Sequence, residues 1–169
     1  IGIHHKITMN LLKHQSERGV IHIKCKDIYK QEVEETIVNH LRRLYGDVCG
    51  KNGFTIGDTI QLIERSLGKL VTVDSQSCVE YNVSYEMDAI YPSPEDTYDC
   101  IVESRTKMGL IGFLDYSVSE DPPSLQNSPI LFIIPVDFGG EGKSQGDKVK
   151  VKVLDSRIKF QARQIQSVA

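Results

Sequence analysis

The segment Val79–Ala89, VEYNVSYEMDA, alternates from end to end without a slip. Val79, Tyr81, Val83, Tyr85, Met87 and Ala89 fall on one side; Glu80, Asn82, Ser84, Glu86 and Asp88 fall on the other. A side-chain period of two makes one face dry and the other wet, so this is a half-buried strand and no helix. Pro92 and Pro94 then stop it, because neither can donate to a sheet ladder and the adjoining Glu95 and Asp96 favour water. A domain junction is expected there, between residues 1–92 and 93–169.

Upstream, Ile1, Ile3, Ile7, Met9 and Leu11 take odd positions, which predicts another half-buried strand. HQSERG reads as a polar connector and VIHIKC as renewed extended chain. A helix follows, with Asp27 as its N-cap candidate and Glu32, Glu34 and Glu35 in the early turns. Ile37, Leu41 and Leu44 form its apolar stripe, widened by Val33 and Val38. His40, Arg42 and Arg43 crowd its last turns and Gly46 closes it, the charge order a helix dipole favours. DVCGKNGF is a turn region, and TIQLIERSLGKLVTV reads as two strands joined at Ser66–Gly68. The first module is therefore α+β, one main helix on an antiparallel sheet.

Downstream the pattern is strand and loop only: TYDCIVES, LIGFLDYSV, ILFIIPV, KVKVKVLD and RIKFQARQIQSV. Five short strands without a long helix predict a small all-β barrel, which closes its own edges.

The chain has 169 residues and a formal net charge of −3. No apolar run approaches the ~18 residues of a membrane span, and the first ten residues lack the basic flank of a secretory signal. A soluble, non-secreted protein is expected. Cys25, Cys49, Cys78 and Cys100 are widely spaced and form no C-x-x-C pair, which predicts free thiols. The histidines show no metal-ligand spacing, so neither a metal nor any other cofactor is expected.

Gly142-Lys143-Ser144 matches the end of a phosphate-binding loop, but Asp137 stands where that loop needs its first glycine, and a strand pattern follows instead of a helix. Asn82-Val83-Ser84 fits a glycosylation acceptor but lies inside a strand. Glu95-Asp96 and Glu120-Asp121 sit beside prolines as solvated loop charge, and no catalytic constellation emerges. The richest feature is basic. Lys148, Lys150 and Lys152 alternate with valines and share one strand face, and Arg157, Lys159 and Arg163 extend the run. Such a surface can track phosphates, with Phe113 or Phe132 as stacking platform. The plainer account is a lysine-rich face that keeps the strand soluble and unpaired.

The order of elements resembles the stalk subunit of multisubunit RNA polymerases, the family of the seventh subunit of eukaryotic polymerase II and its archaeal counterpart. GKNGF (Gly50–Phe54), GKL (Gly68–Leu70) and above all VEYNVSY (Val79–Tyr85) followed by Pro92 carry the likeness, and GLIGFL is similar to a motif of its second module. HQSERG looks like an insertion, Asp99-Cys100 replaces an expected glycine, and the stretch after ILFIIPV matches poorly. Divergence of this size suits a large DNA virus or a distant eukaryote. The resemblance implies a five-stranded OB-fold for the second module and a non-catalytic role. It implies docking on the large core subunits through Gly50, Lys51, Gly53, Phe54, Arg65, Ser66 and Gly68. It also implies a helical second stalk subunit as partner, like the fourth subunit of polymerase II or the archaeal equivalent, and weak contact with single-stranded RNA or initiation factors. The location would be the nucleus in a cellular eukaryote, or cytoplasm or virion for a virus. The rival reading is a free-standing OB-fold RNA-binding or translation-type factor.

Overall fold

Alternation makes the strand: β6 runs Gln76–Ile90 and buries Tyr81, Val83, Tyr85, Met87 and Ala89, as the period of two requires. It stops two residues before Pro92. The computed structural model describes residues 12–117, 119–138, 142–159 and 161–168. The strand expected over residues 1–11 lies outside them. The described chain is mostly β with one α-helix, an α+β part followed by a strand-rich part.

Two compact units form. One, the helical unit, comprises His14–Gly46 and Ile56–Asp88; the other, the β unit, contains Lys13, Asp47–Thr55 and the chain from Ala89 onward. The units thus part inside β6, before the prolines, and the segment around GKNGF clusters with the C-terminal strands.

In the helical unit, β1 (Lys13–Lys24) flanks β6 on one side, and β4 (Gln61–Arg65) and β5 (Lys69–Val73) share its other side. The register pairs Leu62 with Tyr85 and Arg65 with Val83, then Lys69 with Glu80 and Val73 with Gln76. Asp74 and Ser75 join β5 to β6 with φ of 49° and 62°, the left-handed pair a two-residue hairpin needs. HQSERG is strand and not connector: it forms the first half of β1. Its polar residues are tolerated because this sheet face is wet and offers cross-strand carboxylates.

Helix α1 spans Val33–Tyr45. Asp27 does not cap it; that residue ends a separate 3-10 turn, Cys25–Asp27, and the N-cap position falls to Glu32 without a side-chain cap. Ile37 and Leu41 are fully buried against Ile21, Ile23, Ile60 and the dry face of β6. Each such side chain contributes roughly 1.5–3 kcal/mol of transfer free energy. Tyr45 stacks on Tyr85 with ring centroids 6.0 Å apart. Leu44, expected in the stripe, sits at its exposed margin. Gly46 ends the helix in extended conformation. What requires a glycine there is proximity, because a Cβ would collide with the Arg42 carbonyl and approach the Gly57 Cα to 3.0 Å.

The β unit is built on β7 (Thr97–Thr106), β8 (Gly109–Leu114), β9 (Ile130–Pro135), β10 (Lys148–Lys152), β11 (Asp155–Arg157) and β12 (Ile165–Val168), in the spatial order β10-β7-β8-β9-β12-β11. All neighbours are antiparallel except β9 and β12, which run parallel with Ile165 opposite Ile130. Strands β10 and β11 occupy the two ends of this order, yet only Val153 and Leu154 separate them in the chain. Val153 N–H donates to Asp96 O at 2.8 Å and Leu154 N–H to Val168 O at 2.8 Å, so those two residues hand the chain from one end of the order to the other. The final segment, expected as one strand, is broken. Its middle departs to bond elsewhere: Gln161 (φ 65°) donates N–H to Cys49 O, and Cys49 N–H donates to Ala162 O at 2.7 Å. Cys49 belongs to the small hairpin of β2 (Cys49–Gly50) and β3 (Gly53–Thr55), which pairs Phe54 with Ile90 of β6.

Candidate nucleic-acid interface

The lysines of β10 alternate with valines, and the structure keeps that division: Val151 and Val153 are buried while Lys148, Lys150 and Lys152 are exposed on one face. Strand β7 lies opposite and supplies the same face with Ile101, Asp99 and Thr97 in register with the three lysines. Carboxylates therefore interleave with the ammonium groups. Lys148 Nζ lies 3.4 Å from Asp115 Oδ2, Lys152 is paired with Glu95, and Lys150 faces Asp99 across the ladder. The lysines of these pairs are exposed and each pair is worth about 1 kcal/mol at most, but they cancel much of the field that the bare sequence suggests.

Arg157 is exposed on β11, and Lys159 and Arg163 are exposed on the connection between β11 and β12. The six basic residues are thus carried by different elements, and only the three lysines share a strand face. Phe113 and Phe132 do not serve as stacking platforms. Their side chains are 4% and 0% exposed, facing the interior of the unit, where Phe132 meets Tyr98 at 6.0 Å between centroids. The alternation of β8 and β9 turns both rings inward.

An aromatic ring is nevertheless available close to the lysines. Phe138, 64% exposed, lines a cavity of about 420 Å³ with Lys143, Lys150 and Lys152. Buried Leu110, Ile134 and Val151 supply its apolar wall. Sequence reasoning passed over Phe138 because it lies in a Gly-rich loop; the available signal was an aromatic residue that no strand pattern claims. A ring beside ammonium groups, of which Lys143 has no carboxylate opposite it among the described residues, can stack one base and hold its phosphate, at about 1–3 kcal/mol for the stacking contact. Lys143 has no ion-pair partner among the described residues. Burial pushes the Cys100 thiol up to about 12, and burial with the neighbouring Asp96 carboxylate holds Tyr98 protonated.

The docking residues fall in both units. Gly50, Lys51, Gly53 and Phe54 belong to the β unit: Lys51 is exposed at the turn, while Phe54 is 1% exposed and part of the core, so its role is internal. Gly53 sits at φ 95°, beside the Ile90 carbonyl, where a side chain does not fit. Arg65, Ser66 and Gly68 belong to the helical unit. Arg65 is held by Glu34 (Nε–Oε1 3.0 Å) and lies 5.7 Å over the Tyr81 ring; Ser66 N–H donates to Asn82 O at 2.9 Å. Between them Leu67 is 90% exposed, and Ile63 and Leu70 are also exposed.

The four thiols are free, with Cys49, Cys78 and Cys100 buried, and no cluster of metal-ligating side chains occurs among the described residues. No protein-family model and no curated protein matches this chain.

Proposed function

We propose that the chain is a non-catalytic stalk subunit of a DNA-dependent RNA polymerase, with an OB-fold as its β unit. The parallel pairing of β9 with β12 carries this reading. An OB-fold is a five-stranded Greek-key barrel. Taking β10 and β11 as two halves of one strand, broken at Val153-Leu154, gives a three-strand meander, a fourth strand bonded at one half to the first and at the other half to the fifth, and a fifth strand parallel to the third. The exposed apolar side chains Ile63, Leu67 and Leu70 around the Arg65–Gly68 turn support a protein-docking role for that turn, since single-chain proteins seldom leave neighbouring large apolar groups in water. The pairing of Lys148 and Lys152 with carboxylates favours a subunit over a free-standing RNA-binding factor, which would need that stripe for affinity.

In this role the chain breaks no bond; it holds a helical partner and the polymerase core, and positions transcript near Phe138 and Lys143. The test is affinity purification of the tagged full chain from cells that make it. Stoichiometric recovery of the two large catalytic subunits supports the proposal. Recovery of a monomer free of polymerase overturns it.

A further inference from the structure

We infer that the helical unit carries an oxyanion site, between the end of β1 and the flank of α1, built for a phosphate monoester. A cavity of about 470 Å³ there is lined by His22, Lys24, Asp27, Lys30, His40 and Arg43, with the amides of Gln31 and Asn39 as neutral donors. Among the described residues Asp27 is its single lining carboxylate, and Lys30 Nζ accounts for it at 3.1 Å. His22 Nε2 is taken by Glu80 Oε1 at 3.0 Å. Lys24 and Arg43 are left with no carboxylate partner among the described residues.

Arg43 is placed as an anion site would place it. Its Nη2 donates to His40 Nδ1 at 3.0 Å, so a guanidinium faces a neutral imidazole where a carboxylate is the usual partner. Burial, then Arg43, then His22 push the His40 pKa down. Among the described residues the cavity is lined mostly by side-chain donors and by no Phe, Tyr or Trp. Stacking is what a nucleic-acid strand asks of a binding groove; dense charge-assisted donors are what a dianionic monoester asks. The lining meets the second demand and not the first. This inference is independent of the polymerase reading.

A dianion in the cavity reverses the field at His40. Arg43 turns from the imidazole to the ligand, the freed Nδ1 takes up a proton, and the His40 pKa rises. Binding therefore strengthens as pH falls toward the second ionisation of the phosphate near ~6. The charged and titratable groups that set this response are Lys24 and His22 of β1, Asp27, Lys30, Arg43 of α1 and Glu80 of β6.

The experiment follows the His40 imidazole resonance of the full chain against pH, with inorganic phosphate, with a phosphoserine peptide and with a short single-stranded RNA. Phosphate is expected to raise the His40 pKa by about one pH unit. Arg43→Gln and Lys24→Gln, both at exposed positions, should each weaken phosphate about tenfold, whereas Lys143→Gln in the other unit should not. A phosphoserine peptide that binds tighter than inorganic phosphate identifies a phosphorylated protein as the ligand; equal binding identifies a small free phosphate. If phosphate and peptide both leave His40 unmoved, or if RNA alone moves it, the inference is wrong.

Discussion

If single-stranded RNA crosses the β unit from the lysine face of β10 to Arg157, Lys159 and Arg163 beyond it, its affinity is limited by the carboxylates already there. Of the six cations between Lys148 and Arg163, two, Lys148 and Lys152, are engaged by Asp115 and Glu95. Four remain to neutralise phosphates. For single strands log K falls with log salt by about 0.7 for each phosphate neutralised, so the wild-type slope should be about −2.8. Between 50 and 200 mM salt that is a loss of roughly 50-fold. The double variant Asp115→Asn, Glu95→Gln releases both lysines without touching a cation. Its slope should steepen to about −4.2, a loss of roughly 300-fold over the same interval, and its affinity at low salt should rise. Fluorescence anisotropy with a labelled oligouridylate, at five salt concentrations, measures both quantities. A slope and an affinity unchanged by the double variant, in protein that melts as the wild type does, would refute the placement of RNA on this face.

Leu41→Ala removes a fully buried side chain from the core of the helical unit and should cost about 2–5 kcal/mol in denaturant unfolding. Gly53→Ala forces a side chain into φ 95° beside the Ile90 carbonyl and should cost more than about 1 kcal/mol by the same assay. His14 is hydrogen-bonded to Asp88 at 3.0 Å and lies 3.2 Å from Glu86, and these carboxylates hold its pKa above the ordinary histidine value. Because the folded value is the raised one, its contribution is complete below the unfolded pKa of about 6.5 and is lost as pH rises through the folded pKa. An NMR titration should show that pKa fall in Asp88→Asn. In native protein a bulky thiol reagent should modify Cys25 alone, since the other three thiols are buried and Cys49 and Cys100 are pushed to about 11 and about 12; denaturant should release all four.

Periodicity carried the strongest elements. The alternation of β6 and the Ile37–Leu41 spacing specify which face is dry, and burial follows from that alone. Short-range signals failed where a distant strand decided the outcome. HQSERG looks like a connector until Glu86 and Asp88 are placed across from His14. The last segment reads as one strand because nothing local announces that Cys49 will bond to Gln161 and Ala162. The candidate site shows the same limit. A lysine stripe is visible in one dimension, but Asp115 and Glu95 join it only through the fold. Phe113 and Phe132 looked available because the inward face of a strand cannot be assigned until its neighbours are known. Phe138 was legible in principle, as an aromatic residue with no core position to claim it.

The bonding of Cys49 has a consequence for synthesis on the ribosome. Residues 14–46 and 56–88 can assemble as soon as they emerge, but the intervening hairpin belongs with chain that does not yet exist. Its final partners, Gln161 and Ala162, are translated about 110 residues later, a wait of roughly 6 to 22 seconds. Throughout that interval the backbone N–H and C=O of Cys49 lack the partners they hold in the finished protein. A nascent chain of this kind gains from a chaperone, or from a partner that reaches it before translation ends.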